Sequence, residues 1–153
     1  MCLATPRPMT EHPPQHTPSA AATTPAQIVD EYLRLLMIPD PAAARRWVSP
    51  GLRIRFTGGR AMSDPAECAA FNATRYRWVK KRVERTETVA GGNAGETVVY
   101  SLGTLFGEWP DGTAFEGNRY VDRYVVSQGL ITQMEVWNDS AEWLLARAGL
   151  ARL

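Results

Sequence analysis

FEGNRYVDRYVVSQGLITQMEVWND, residues 115–139, decides how this chain is read. With the period of two that strands impose, Asn118, Tyr120, Asp122, Tyr124 and Val126 fall on one side, and Arg119, Val121, Arg123 and Val125 on the other. Ser127, Gln128 and Gly129 mark a tight reversal into Leu130–Asn138, so two antiparallel strands are predicted side by side. One carboxylate, Asp122, then stands on a face otherwise built of aromatic and apolar groups. A carboxyl group stripped of water in this way is the usual route to a proton donor or general base near neutral pH. A structural ion pair with a nearby cation explains the same residue equally well.

Upstream, Thr24 and Pro25 are a helix start, and Ile28, Val29, Tyr32, Leu33, Leu35 and Leu36 recur at helical spacing as far as Pro39. Asp40 and Pro41 open a short helix ending near Trp47 and Val48. Pro50 and Gly51 break it, and Leu52–Thr57 reads as a strand. Asp64 and Pro65 begin a third helix running to about Trp78, with Ala66, Ala69, Ala70 and Ala73 as a narrow stripe that lets it approach a sheet. Val79–Val89 is a long charged strand, Gly91–Gly95 ends it, and a further strand from Glu96 reaches the turn at Pro110–Gly112. Asp139, Ser140, Ala141 and Glu142 form a capping box for a last short helix ending near Ala148 and Gly149. Helices followed by a run of antiparallel strands argue for an α+β domain with its helices on one face of a curved sheet.

The 153 residues, 44% hydrophobic and 22% charged, describe one ordinary globular domain at residues 25–150. Residues 1–24, rich in Pro, Thr and Ala, read as a disordered tail. A net charge of +1 gives nucleic acid no electrostatic purchase. No run approaches the ~20 apolar residues that span a bilayer, and a signal peptide's charged start and apolar middle are lacking, so a cytoplasmic location is expected. Cys2 and Cys68 offer neither a disulfide framework nor metal spacing. Both histidines, His12 and His16, fall in the tail, which removes histidine-based nucleophile arrangements and the common zinc and iron sites from the domain. No glycine-rich nucleotide motif occurs. Any chemistry must then come from carboxylates, tyrosines, lysines or arginines, or from a bound cofactor that leaves no motif, and the expectation is no metal and no cofactor.

The element order and the pattern YVDRYVVSQGLITQMEVWND, residues 120–139, resemble the NTF2-like superfamily and its SnoaL-like branch. The resemblance covers residues 25–150. It implies a cone-shaped, mostly antiparallel sheet wrapped around three helices, a short C-terminal helix, a pocket inside the cone and a homodimer through the outer sheet face. Against the superfamily's ketosteroid isomerases, Val29–Tyr32 matches the helix motif carrying the oxyanion tyrosine, and Val121 and Asp122 match the donor acid. The base aspartate of those enzymes falls where this chain has Arg53–Thr57, so that set is incomplete. The carboxylates of the epoxide hydrolases are missing at Val98–Leu102 and Val136, and the scytalone dehydratase pair needs a histidine. SnoaL-type cyclases, with a single acid at the hairpin position, resemble this arrangement more.

Candidate catalytic groups are then Asp122 as acid or base and Tyr32 as oxyanion donor. Lys80, with Lys81 next to it, is the alternative base, if Tyr76 and Trp78 shelter an amine enough for it to lose its proton. The same RYRWVKKRVER run is also explained as cations at a helix C-terminus and on a protected strand edge. Asn118, Tyr120, Tyr124, Asn138, Trp47, Phe56, Phe71, Tyr76 and Tyr100 are candidates for lining a pocket that takes a small apolar or aromatic molecule. Isomerase, cyclase or lyase chemistry is the leading class. A noncatalytic ligand-binding or dimeric accessory protein is the rival.

Overall fold

The computed structural model describes residues 23–152, so the predicted tail and its two histidines lie almost wholly outside the described residues. Helix α1, Pro25–Met37, opens with the capping box formed by Thr24 and Gln27 and buries Ile28, Val29, Tyr32, Leu33 and Leu35. Helix α2 is a single turn, Pro41–Ala44, capped by Asp40 and continued by a 3₁₀ turn to Trp47. Strand β1, Val48–Phe56, starts four residues earlier than its sequence suggests. Its pairing shifts register between Val48 and Arg53, and this irregularity absorbs Pro50 and Gly51.

After the two-residue strand β2, Ala61–Met62, helix α3 runs over Pro65–Arg75. It stops three residues short of Trp78 because Tyr76 swings into extended backbone, where its ring stacks on Trp109, and Arg77 N–H already donates to the Glu108 carbonyl at 2.8 Å. The buried residues of α3 are Pro65 and Cys68, with Ala69 and Asn72 following one and two turns on, so the packed stripe differs from the predicted alanine row.

Strands β3, Trp78–Ala90, β4, Glu96–Glu108, β5, Ala114–Ser127, and β6, Leu130–Asn138, form an antiparallel meander. Gln128 and Gly129, with φ of 51° and 78°, supply the two positive-φ positions that a two-residue hairpin loop requires. The open six-stranded sheet has the order β2-β1-β6-β5-β4-β3. It is mixed, since β1 runs parallel to β6. Helix α1 packs on β3, β4 and β6, while α2 bridges α1 and α3.

One core cluster fills the space between these helices and β1, β5 and β6; a second, of Tyr76, Leu105, Trp109, Phe115 and Tyr120, closes the β4–β5 end under Trp143. Trp143 lies in helix α4, Ser140–Arg147. The capping box predicted there is replaced: the Asp139 carboxylate is held by Arg119 at 2.6 Å, and Asn138 Oδ1 accepts from the Ser140 N–H at 3.1 Å instead. No helix among the described residues is long and apolar enough to cross a membrane.

Candidate active site

Period-two alternation along β5 sends Tyr120, Asp122 and Tyr124 inward, each buried to within 2% of full. In register beside them on β4 stand Gly103, Ser101 and Val99, and on β6 Asn138, Val136 and Met134. Lys81 joins this face from β3, directly opposite Leu105. Its side chain, 10% exposed, crosses Gly103's strand to donate from Nζ to Asp122 Oδ2. The same Oδ2 accepts the Tyr124 hydroxyl at 2.9 Å. Asp122 Oδ1 is buried without a hydrogen-bond partner among the described residues. Lys81 Nζ also sits 3.8 Å from the centre of the Tyr120 ring, a cation–π contact.

These groups open on a cavity between sheet and helices. Leu33, Leu36 and Met37 of α1, Cys68 and Ala69 of α3, and Phe56, Tyr76, Val79, Leu105, Met134 and Val136 make most of its wall; Lys81, Asp122, Tyr120, Asn138 and Asn72 of α3 supply its polar groups. The space measures about 600 Å³ with its mouth. Few polar groups converging in an apolar cleft is the usual anatomy of a small-molecule site.

Burial dominates the electrostatics. It pulls the Lys81 ammonium below its ordinary 10.5, while the charge and hydrogen bond of Asp122 act in the opposite sense. Burial raises the Tyr124 and Tyr32 phenols well above 10.0, and the Asp122 charge adds to both shifts. Tyr120 is pushed up to about 12 by burial, partly opposed by its hydrogen bond with Ser101. Cys68 is likewise pushed up to about 12, mainly by burial, and stays an inert thiol. The tyrosines of the site are therefore hydrogen-bond donors across the physiological range.

The candidate residues separate into three groups. Asp122, Tyr120, Asn138, Tyr76 and Phe56 stand on the cavity wall. Tyr124, Tyr32 and Asn118 lie behind it. Tyr32 packs edge-on against Tyr124, its hydroxyl aimed at the Met134 sulfur at 3.6 Å, and it makes no hydrogen bond to Asp122. Asn118 donates to Ser140 Oγ at 3.2 Å, and Ser140 in turn meets the Tyr76 hydroxyl, a brace between β5, α3's end and α4.

The third group leaves the site. Lys80 is exposed on the opposite side of β3, paired with Phe106, because adjacent strand residues point to opposite faces. Tyr100 faces outward for the same reason, beside Arg123. Trp47 packs against the first core cluster from the 3₁₀ turn, and Phe71 lies against Phe56 with Arg60 and Arg75 over its ring. Sequence reasoning placed the lysine base at Lys80; counting the period from Lys81, opposite Leu105, puts Lys81 and not Lys80 on the cavity face. Ser101, fully buried and bonded to the Tyr120 hydroxyl at 3.0 Å, carried no signal of its own.

Among the described residues no three His, Cys, Asp or Glu side chains gather as a metal site. No family model matches the sequence, and no curated protein is similar to it in sequence. Solved structures are similar. An NTF2-like protein from Burkholderia thailandensis E264 superposes with a TM-score of 0.63 at 21% identity, over 82% of this chain and 97% of that one. TerC co-crystallised with polyporic acid gives 0.59 at 16% identity, over 77% and 93%. A putative SnoaL-like polyketide cyclase from Jannaschia sp. CCS1 gives 0.56 at 19% identity, over 80% and 94%. The chain has the NTF2-like fold.

Proposed function

We propose that this NTF2-fold chain is a small-molecule enzyme that moves protons on a flat apolar or aromatic substrate carrying a carbonyl or phenol, within the isomerase, cyclase and lyase classes. One observation carries the reading. Asp122 is wholly buried and lines the apolar cavity, its Oδ2 is fixed by Lys81 and Tyr124, and its Oδ1 has no hydrogen-bond partner among the described residues. A buried carboxylate oxygen left unpaired costs about 1–3 kcal/mol or more, and a substrate donor or an acidic C–H placed against it relieves that cost. Oδ1 is thus the atom assigned to take and return the proton, with Lys81 balancing the charge. Tyr120 and Asn138, both on the wall, are assigned to hold the substrate oxygen. Tyr32 enters as a support for Met134 and Tyr124 rather than as an oxyanion donor, because its hydroxyl is turned away. The occurrence of putative polyketide cyclases among structures with this fold favours the same class.

Deuterium exchange into the carbon next to the carbonyl of 1-tetralone and related bicyclic ketones, followed by NMR in heavy water, tests this. Exchange should fall by about 10²- to 10⁴-fold in Asp122→Asn, the share general acid–base catalysis commonly supplies. Exchange by the wild type no faster than in buffer, across such a panel, would refute catalysis. In that event the closed ion pair of Lys81 with Asp122 supports the second reading, a noncatalytic binder of flat ligands or an accessory protein.

A further inference from the structure

Two of the chain's 17 basic residues are lysines, Lys80 and Lys81; all others are arginines. Among the described residues the single cation that reaches the cavity wall is one of these two, Lys81. Arginine cannot be deprotonated in a protein and lysine can, so the difference matters at a buried position. The Lys81 side chain is 10% exposed, and its Nζ lies over the Tyr120 ring and contacts Asp122, whose second oxygen has no hydrogen-bond partner among the described residues. The Cys68 thiol and the Tyr120 phenol of the wall are both pushed up by burial, stay neutral at physiological pH and do not compete for that proton.

Resting on the proton-transfer reading, we propose that Lys81 is the nucleophile of this site and captures an aldehyde or ketone substrate as an imine, with Asp122 as the proton shuttle. Asp122 takes a proton from the Lys81 ammonium, and the freed nitrogen lone pair attacks the carbonyl carbon. The C=O π pair moves onto oxygen, which receives the proton held by Asp122. The carbinolamine then breaks its C–O bond, the hydroxyl leaving as water with a second proton from nitrogen. Ammonium and carbonyl thus give a protonated imine and one water, with no change in oxidation state. The new cation keeps the place of the old one, against Asp122 and over the Tyr120 ring. Asp122 Oδ1 then faces the adjacent carbon, whose protons the iminium acidifies, so one residue captures the substrate and the other moves its proton. Burial, which disfavours the ammonium, aids the first step.

The test is reductive trapping of the full chain with 2-naphthaldehyde and cyanoborohydride near neutral pH, read by peptide mass spectrometry. The chain's amines are Lys80, Lys81 and the N-terminus, so the sites are cleanly resolved. Wild type and Lys80→Arg should carry the naphthylmethyl group on Lys81, and Lys81→Arg should lose it. Label on Lys80 or the N-terminal amine with Lys81 unmodified would overturn the proposal, whatever the folding of the Lys81 variants. If Lys81 stays unmodified while Asp122→Asn still abolishes exchange on 1-tetralone, the imine falls and the proton-transfer reading stands. Loss of both results removes both.

Discussion

Removing one partner of the Lys81–Asp122 pair should unfold the chain more readily than any exposed substitution. In Lys81→Met the carboxylate keeps the Tyr124 hydroxyl at 2.9 Å and loses its counter-charge, at a position with no solvent exposure. Breaking a buried pair this way costs about 3–5 kcal/mol, because an uncompensated charge remains in a poorly polarisable site. Asp122→Asn leaves the opposite partner, an amine that burial already pulls toward its neutral form, so that change should cost less, about 1–3 kcal/mol for the lost hydrogen bonds. The double variant Lys81→Met with Asp122→Asn should be more stable than the lysine variant alone, since it strands no charge. Urea unfolding followed by the fluorescence of the five tryptophans measures all three. With an m-value of about 2 kcal/mol per M, the midpoint of Lys81→Met should drop by roughly 1.5–2.5 M at unchanged slope. A drop below about 0.3 M would mean that the pair is solvated like a surface salt bridge. Strict additivity in the double variant would also refute the reasoning, because it would show that the two side chains do not interact.

Other outcomes follow from single contacts. A Cβ at Gly103 would sit 2.1 Å from the Arg82 carbonyl oxygen, where β3 and β4 pass closely below the Lys81 side chain, so Gly103→Ala should destabilise by about 1–3 kcal/mol; an unchanged melting temperature would contradict that approach. Tyr32, Tyr120 and Tyr124, three of the five tyrosines, hold their protons in the fold to higher pH than in the unfolded chain. The native state then binds more protons than the unfolded one above pH 10, so stability should fall as pH climbs from 10 toward 12, with these phenols ionising together on unfolding. Tyrosinate absorbance that rises smoothly for all five without unfolding would show that they are solvated. Val121 and Trp137, cross-strand neighbours on the outer face and 36% and 48% exposed, are proposed as part of a homodimer contact. Light scattering should give about twice 17.0 kDa, and Trp137→Glu should halve it; a wild-type monomer would refute the contact.

How much of this is legible in the sequence depends on how local the determinant is. Residues 115–139 gave up their hairpin readily, because alternation and the Gln128–Gly129 loop are properties of the segment itself. The helix starts at Thr24, Asp40 and Asp64 are equally local, each satisfied by its own side-chain cap. The ends of α3 and the cap of α4 were not legible. Tyr76 leaves the helix for Trp109, thirty-three positions on, and Asp139 gives up its capping role for Arg119 on the neighbouring strand. The same holds for the site. Asp122 and Tyr120 were marked by their place on one strand face, whereas Tyr32's hydroxyl was diverted by Met134, a residue 102 positions away. Tyr100 was misplaced because the aromatic roll ignored the period of β4, on which Val99 and Ser101 take the inward places.

The choice between Lys80 and Lys81 shows why such a site can sit in an apolar cavity at all. Successive strand residues point to opposite sides, so one lysine remains in water and the other is carried across the sheet to the only carboxylate on the inner face of β5. An isolated charge there would be strongly disfavoured. Together the two charges cancel, and the cavity presents to a ligand little net field and one unsatisfied oxygen. A ligand carrying its own full charge would upset that balance, whereas a neutral carbonyl or phenol meets a donor and an acceptor already fixed in place. Binding of neutral bicyclic ketones should therefore exceed that of the matching carboxylates. Calorimetric titration that ranks the carboxylates first would show that Lys81 is free to pair with the ligand, and that Asp122 does not hold it.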